Sequence, residues 1–119
     1  MTVRDLLAAS MLDDVSFQRL INAFVDEFRR VDGPRRAPMI ADGPPHPGRR
    51  EGLTAAVVSA LCREVEMEPP AWVRDIYSPE PFFVVPARGF ALRLRLMLES
   101  PPPFRIRNVF VPENYLSRA

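Results

Sequence analysis

Fourteen prolines in 119 residues set the limits of what this chain can form. Proline lacks a backbone N–H and its ring clashes with the preceding turn, so a helix interior excludes it at a cost of ~3 kcal/mol. Five of the fourteen, Pro34, Pro38, Pro44, Pro45 and Pro47, fall with Gly33, Gly43 and Gly48 between residues 32 and 50. That run is expected as an extended, exposed and mobile linker, pinned at its middle by Met39 and Ile40. The chain then divides into N-terminal helices over 1–31, the linker over 32–50 and a helical region over 51–119, all within one domain.

The proline-poor runs carry helical periodicity. Thr2 can cap a short helix to about Met11, with Leu6 and Leu7 on its apolar side. Ser16 is a good N-cap for a second helix, in which Phe17, Leu20, Ile21, Phe24, Val25 and Phe28 recur at helical spacing. Asp32-Gly33-Pro34 should stop it. A third helix is expected over about 51–66, with Leu53, Val57, Ala60, Leu61 and Val65 as its buried stripe and Pro69-Pro70 as its end. Trp72 and Val73 fit a single helical turn. Leu20, Phe24, Phe28, Leu61 and Trp72 are expected to be buried together.

Residues 90–111 are ambiguous. Phe90, Leu92, Leu94, Leu96 and Leu98 alternate with Ala91, Arg93, Arg95 and Met97, which is a strand pattern of period two. Leu, Arg, Met and Ala are good helix formers, and none is β-branched. Residue type therefore favours helix and gives a mainly α fold. The alternative is an α+β fold with a C-terminal hairpin over about 90–98 and 104–111. Ser100-Pro101 reads as an N-cap followed by the first helical position, although three successive prolines weaken it, and Asn108 suits a left-handed helix end.

Composition excludes more functions than it suggests. The 16 basic residues, all Arg, face 15 acidic ones, so the net charge of +1 points to neither nucleic acid nor anionic lipid. No apolar run approaches the ~18 residues of a membrane span, the N-terminus lacks the pattern of a secretory signal, and the cytoplasm is the expected location. The single histidine, His46, lies between Pro45 and Pro47, which suits a solvated loop residue better than a catalytic base. Cys62 stands alone beside an apolar stripe and reads as a small core residue. Glu64, Glu66 and Glu68 diverge on a helix and read as a solvated face. No phosphate-binding glycine pattern occurs. Accordingly no catalytic residue, cofactor or metal site is expected.

The charge distribution is uneven. Residues 51–83 hold six acids and two arginines, a net of −4, whereas residues 84–119 hold six arginines and two acids, a net of +4. Either the two halves neutralise each other on packing, or the C-terminal arginines meet a partner. The expected partner-binding residues are Arg93, Arg105, Arg107, Phe110 and Tyr115, because arginine beside aromatic side chains is the composition of protein interfaces. The same composition serves phosphates, which makes nucleic acid the alternative partner. Self-association is left open.

Several blocks resemble a family of small bacterial proteins best represented in actinobacteria. They are Pro70-Ala71-Trp72-Val73, Phe82-Phe83, Leu96-Met97-Leu98-Glu99-Ser100-Pro101, Phe104-Arg105, Arg107-Asn108-Val109-Phe110-Val111 and Leu116-Ser117-Arg118-Ala119. The resemblance covers about 56–119 and leaves the first 50 residues unmatched. It implies a small, non-catalytic, antitoxin-like partner encoded beside a nucleotidyltransferase-like gene, and a helix after Ser100-Pro101. It supplies no catalytic residues. No helix-turn-helix accompanies it in the N-terminal half.

Overall fold

A computed structural model describes residues 1–12, 17–85 and 87–117. The fold is mainly α, with a two-stranded sheet as its only β structure among the described residues.

Helix α1 (Val3–Ser10) begins at a capping box: Asp5 N–H donates to Thr2 Oγ1 at 3.1 Å and Thr2 N–H donates to Asp5 Oδ2 at 3.0 Å. Helix α2 (Phe17–Arg30) buries Phe17, Ile21, Phe24, Val25 and Phe28 on one face, as the periodicity predicts. Its expected cap, Ser16, lies outside the described residues.

The proline-rich segment departs from expectation. Residues Gly33–Ile40 form a helix, α3, rather than an extended linker. Asp32, expected to help stop α2, instead caps α3 through the backbone N–H of Arg35. Pro34 lies in the first turn, where an N–H has no intrahelical acceptor to lose. Pro38 is the one interior proline, in a helix of only eight residues. Tertiary contacts outweigh its cost: Met39 and Ile40 are buried, as expected, and the Arg36 side chain reaches back to the Phe28 and Arg29 carbonyls at 2.9 and 3.3 Å. Beyond α3, Pro45, His46 and Pro47 are exposed, while Trp72 ties the segment down by donating to the Ile40 carbonyl at 2.8 Å.

Helix α4 (Arg49–Glu64) is the centre of the molecule. It packs against α1, α2, a single 3-10 turn (Ala71–Arg74) and the C-terminal elements, so every residue from Gly52 to Val58 is buried. Leu53, Val57 and Leu61 are in the core, while Ala60 and Val65 are only half-buried. Phe24, Phe28 and Leu61 share that core, and Leu20 and Trp72 pack at its edge.

The ambiguous region resolves as helix. Phe90–Glu99 forms α5 and Pro102–Arg105 forms α6. The hairpin alternative fails because Val109–Phe110 (β2) pairs in parallel with Phe82–Phe83 (β1), with α5 and α6 as the crossover between them. The triple proline fits without a broken ladder: Pro101 is the cap and Pro102 and Pro103 fill the first two positions of α6. Ser100 is therefore not the N-cap. It ends α5, donating from Oγ toward the Leu96 and Val111 carbonyls and accepting the Val111 N–H at 2.8 Å. Asn108 takes the expected left-handed conformation, with φ 64°.

A candidate docking surface on helix α5

The five residues expected to bind a partner do not form one surface. Arg93 and Arg105 are exposed. Arg107 is 7% exposed, and its guanidinium donates to the carbonyls of Val73 and Pro103. Phe110 is 5% exposed in β2. Tyr115 is half-buried, its ring edge-on to Phe104 at 5.7 Å and its hydroxyl donating to Gln18 Oε1 at 2.8 Å, which turns it toward α2. Burial also pushes the Tyr115 phenol up to about 12.

The acidic half of the chain is answered mainly from the N-terminal half. Glu64 pairs with Arg29 of α2 at 2.8 Å, and Glu80 pairs with Arg49 at 2.9 Å. Arg95 pairs with Glu99 one turn along α5 at 2.9 Å. Arg88 and Arg93 have no carboxylate partner among the described residues.

Sequence reasoning missed the most unusual surface of the molecule. Seven of the ten α5 residues are apolar, yet only Leu96 is buried. Phe90 is 80% exposed and Leu98 70%, with Leu94 and Met97 also outside the core. These four stand at i, i+4, i+7 and i+8, so they form one continuous stripe on a single helix face. Arg93 and Arg95 lie to either side of the stripe, and Glu99 lies round the back. The period-two alternation masked this face, because it grouped the buried Leu96, and Leu92 exposed on another side of the helix, with the stripe residues and left out Met97.

Beside the stripe runs a groove of about 510 Å³, lined by Phe90, Leu94 and Met97 from α5 and by Pro81 and Phe83 across from them, with Arg49, Glu80 and Arg93 at its rim. Phe83 is supported by Phe110, the ring centroids 5.1 Å apart. The Arg93 guanidinium stands 5.6 Å from the Phe83 centroid and donates from Nε to the Ala87 carbonyl at 3.1 Å. Of the expected residues, Arg93 thus sits at the groove and Phe110 supports it indirectly.

The groups considered for chemistry are dispersed. Cys62 is buried and burial pushes its thiol up to about 11, which removes thiolate at neutral pH. His46 is exposed, with Nδ1 3.0 Å from the Pro47 carbonyl. No group of three His, Cys, Asp or Glu residues placed to hold a metal occurs among the described residues. No helix among them is long and apolar enough to cross a membrane. Comparison with protein-family models, with curated proteins and with solved structures finds no match.

Proposed function

We propose that this chain is a non-catalytic, cytoplasmic binding protein that docks another polypeptide on the outward face of α5 and the adjoining groove. The observation that carries the reading is the stripe Phe90, Leu94, Met97 and Leu98, left in water on a helix that buries one leucine. A helix apolar on most of its surface is normally covered, and contiguous apolar patches mark interaction sites. A ten-residue helix is also marginal by its own propensity, so cover from a partner would stabilise it. The resemblance of the C-terminal blocks to antitoxin-like proteins agrees with a binding role and would make the partner toxin-like. The nucleic-acid alternative is weakened by geometry, since Arg107 is buried and Arg95 is tied to Glu99.

The test is site-specific photo-crosslinking in cells that express the chain natively. A photoreactive side chain at position 98 should give one discrete heavier adduct with a second polypeptide, and the same group at Arg19, exposed on α2, should not. Equal or absent adducts at both positions would remove the docking reading.

A further inference from the structure

The charges around the α5 stripe say what kind of surface can cover it. Arg88 precedes the helix and Arg93 flanks the stripe, both without a carboxylate partner among the described residues. The first turn of α5 contains no acidic residue and its Gly89 cap supplies no side-chain hydrogen bond. The helix dipole adds to the positive potential at that end. The one carboxylate on α5, Glu99, points away from the stripe and is held by Arg95.

We infer that the occupant of the groove is an amphipathic helix whose apolar stripe is flanked by aspartate or glutamate, which deepens and rests on the docking role proposed above. The spacing of Phe90, Leu94, Met97 and Leu98 presents a little over two turns, or ~12 Å, of apolar face, a length that a partner helix matches. Arginines beside that face then meet the partner's carboxylates as its apolar residues enter the groove.

The same charges disfavour the other occupants. In a pair of α5 helices from two copies, the flanking arginines of one copy face those of the other in the antiparallel arrangement. In the parallel arrangement Arg93 faces the edge that carries Ala91 and Arg95, again without a carboxylate. A bilayer surface is flat, whereas this site is a groove walled by Pro81 and Phe83.

The experiment titrates the full chain into two labelled synthetic peptides of about 18 residues, each with the same leucine stripe at helical spacing. One peptide carries Glu on both flanks and the other Lys. The expected result is at least a roughly tenfold preference for the Glu peptide, lost in Arg93→Glu and reduced in Arg93→Gln, with binding of the Glu peptide falling as salt is added. Thermal melts of both variants confirm that the fold is kept. Sedimentation of the free chain and flotation with phosphatidylglycerol vesicles run alongside. Equal binding of the two peptides, preference for Lys, or binding of neither overturns the inference. A dimer broken by Leu98→Ser assigns the face to a second copy, and vesicle binding broken by Phe90→Ser assigns it to a membrane; either also overturns it. Lack of charge preference with Leu98-dependent peptide binding removes only the acidic partner, whereas failure of the crosslink at position 98 removes the docking role itself.

Discussion

The guanidinium of Arg107 holds the carbonyl oxygen of Val73 through two N–H groups, at 2.9 and 3.2 Å, and places a third on Pro103 at 2.7 Å. This joins the 3-10 turn to α6 beneath the surface. Burial lowers the arginine pKa, and carbonyl dipoles supply its compensation. An arginine that sequence alone assigns to a partner is thus part of the fold.

Arg107→Met is therefore predicted to cost about 2–4 kcal/mol in denaturant unfolding, since two buried carbonyls lose a charged donor. Arg107→Lys should recover little, because an ammonium cannot reproduce the planar fork. A change below about 0.5 kcal/mol in Arg107→Met would show that the side chain is not locked in place.

Gly52 lies inside α4, where helix propensity alone favours Ala by about 1 kcal/mol. A Cβ at that position would lie 2.6 Å from the Ser78 backbone nitrogen and 2.8 Å from the Tyr77 carbonyl carbon. Backbone cannot yield as a flexible side chain can, so Gly52→Ala is predicted to destabilise the protein by about 1–3 kcal/mol, against its propensity. A rise in melting temperature would contradict the close approach of residues 77–78 to α4.

Cys62 should resist iodoacetamide in the native state and react once urea unfolds the chain. Its pH effect has a definite sign. The folded thiol keeps its proton up to about 11, whereas the unfolded thiol releases it near 9.0. Above pH 9 the unfolded state holds fewer protons, so stability falls as pH rises between these values. Cys62→Ala should remove that part of the decline. Tyr115 would still contribute a fall at higher pH, from its ordinary value of 10.0 toward about 12. An unchanged pH profile in Cys62→Ala would contradict burial of the thiol.

The elements that sequence made legible are those decided locally. Thr2 and Asp5 form their capping box, the Phe24–Phe28 face enters the core, and Asn108 takes its left-handed turn. The misread elements depend on contacts distant in sequence. Proline content alone predicts an extended 32–50, but Met39, Ile40 and Arg36 anchor a helix there through the core and the end of α2. Ser100 precedes a proline as an N-cap would, yet the strand at Val111 captures its hydroxyl. At the candidate site, charge and aromatic content located Arg93 but also drew in Arg107, Phe110 and Tyr115, because composition does not report burial. The spacing of Phe90, Leu94, Met97 and Leu98 was present in the sequence. It signals a surface only once Leu96 is known to be the residue that turns inward.

Docking on α5 requires that the fold leave the outer face of this helix free. Denaturant unfolding of the isolated chain carrying Phe90→Ser and Leu98→Ser together, set against Leu96→Ser, tests it most directly. The double variant is predicted to stay within about 0.5 kcal/mol of the parent, as surface substitutions do, while Leu96→Ser loses about 2–4 kcal/mol. A loss of several kcal/mol in the double variant, equal to that of Leu96→Ser, would mean that Phe90 and Leu98 belong to the core and that no free docking face exists.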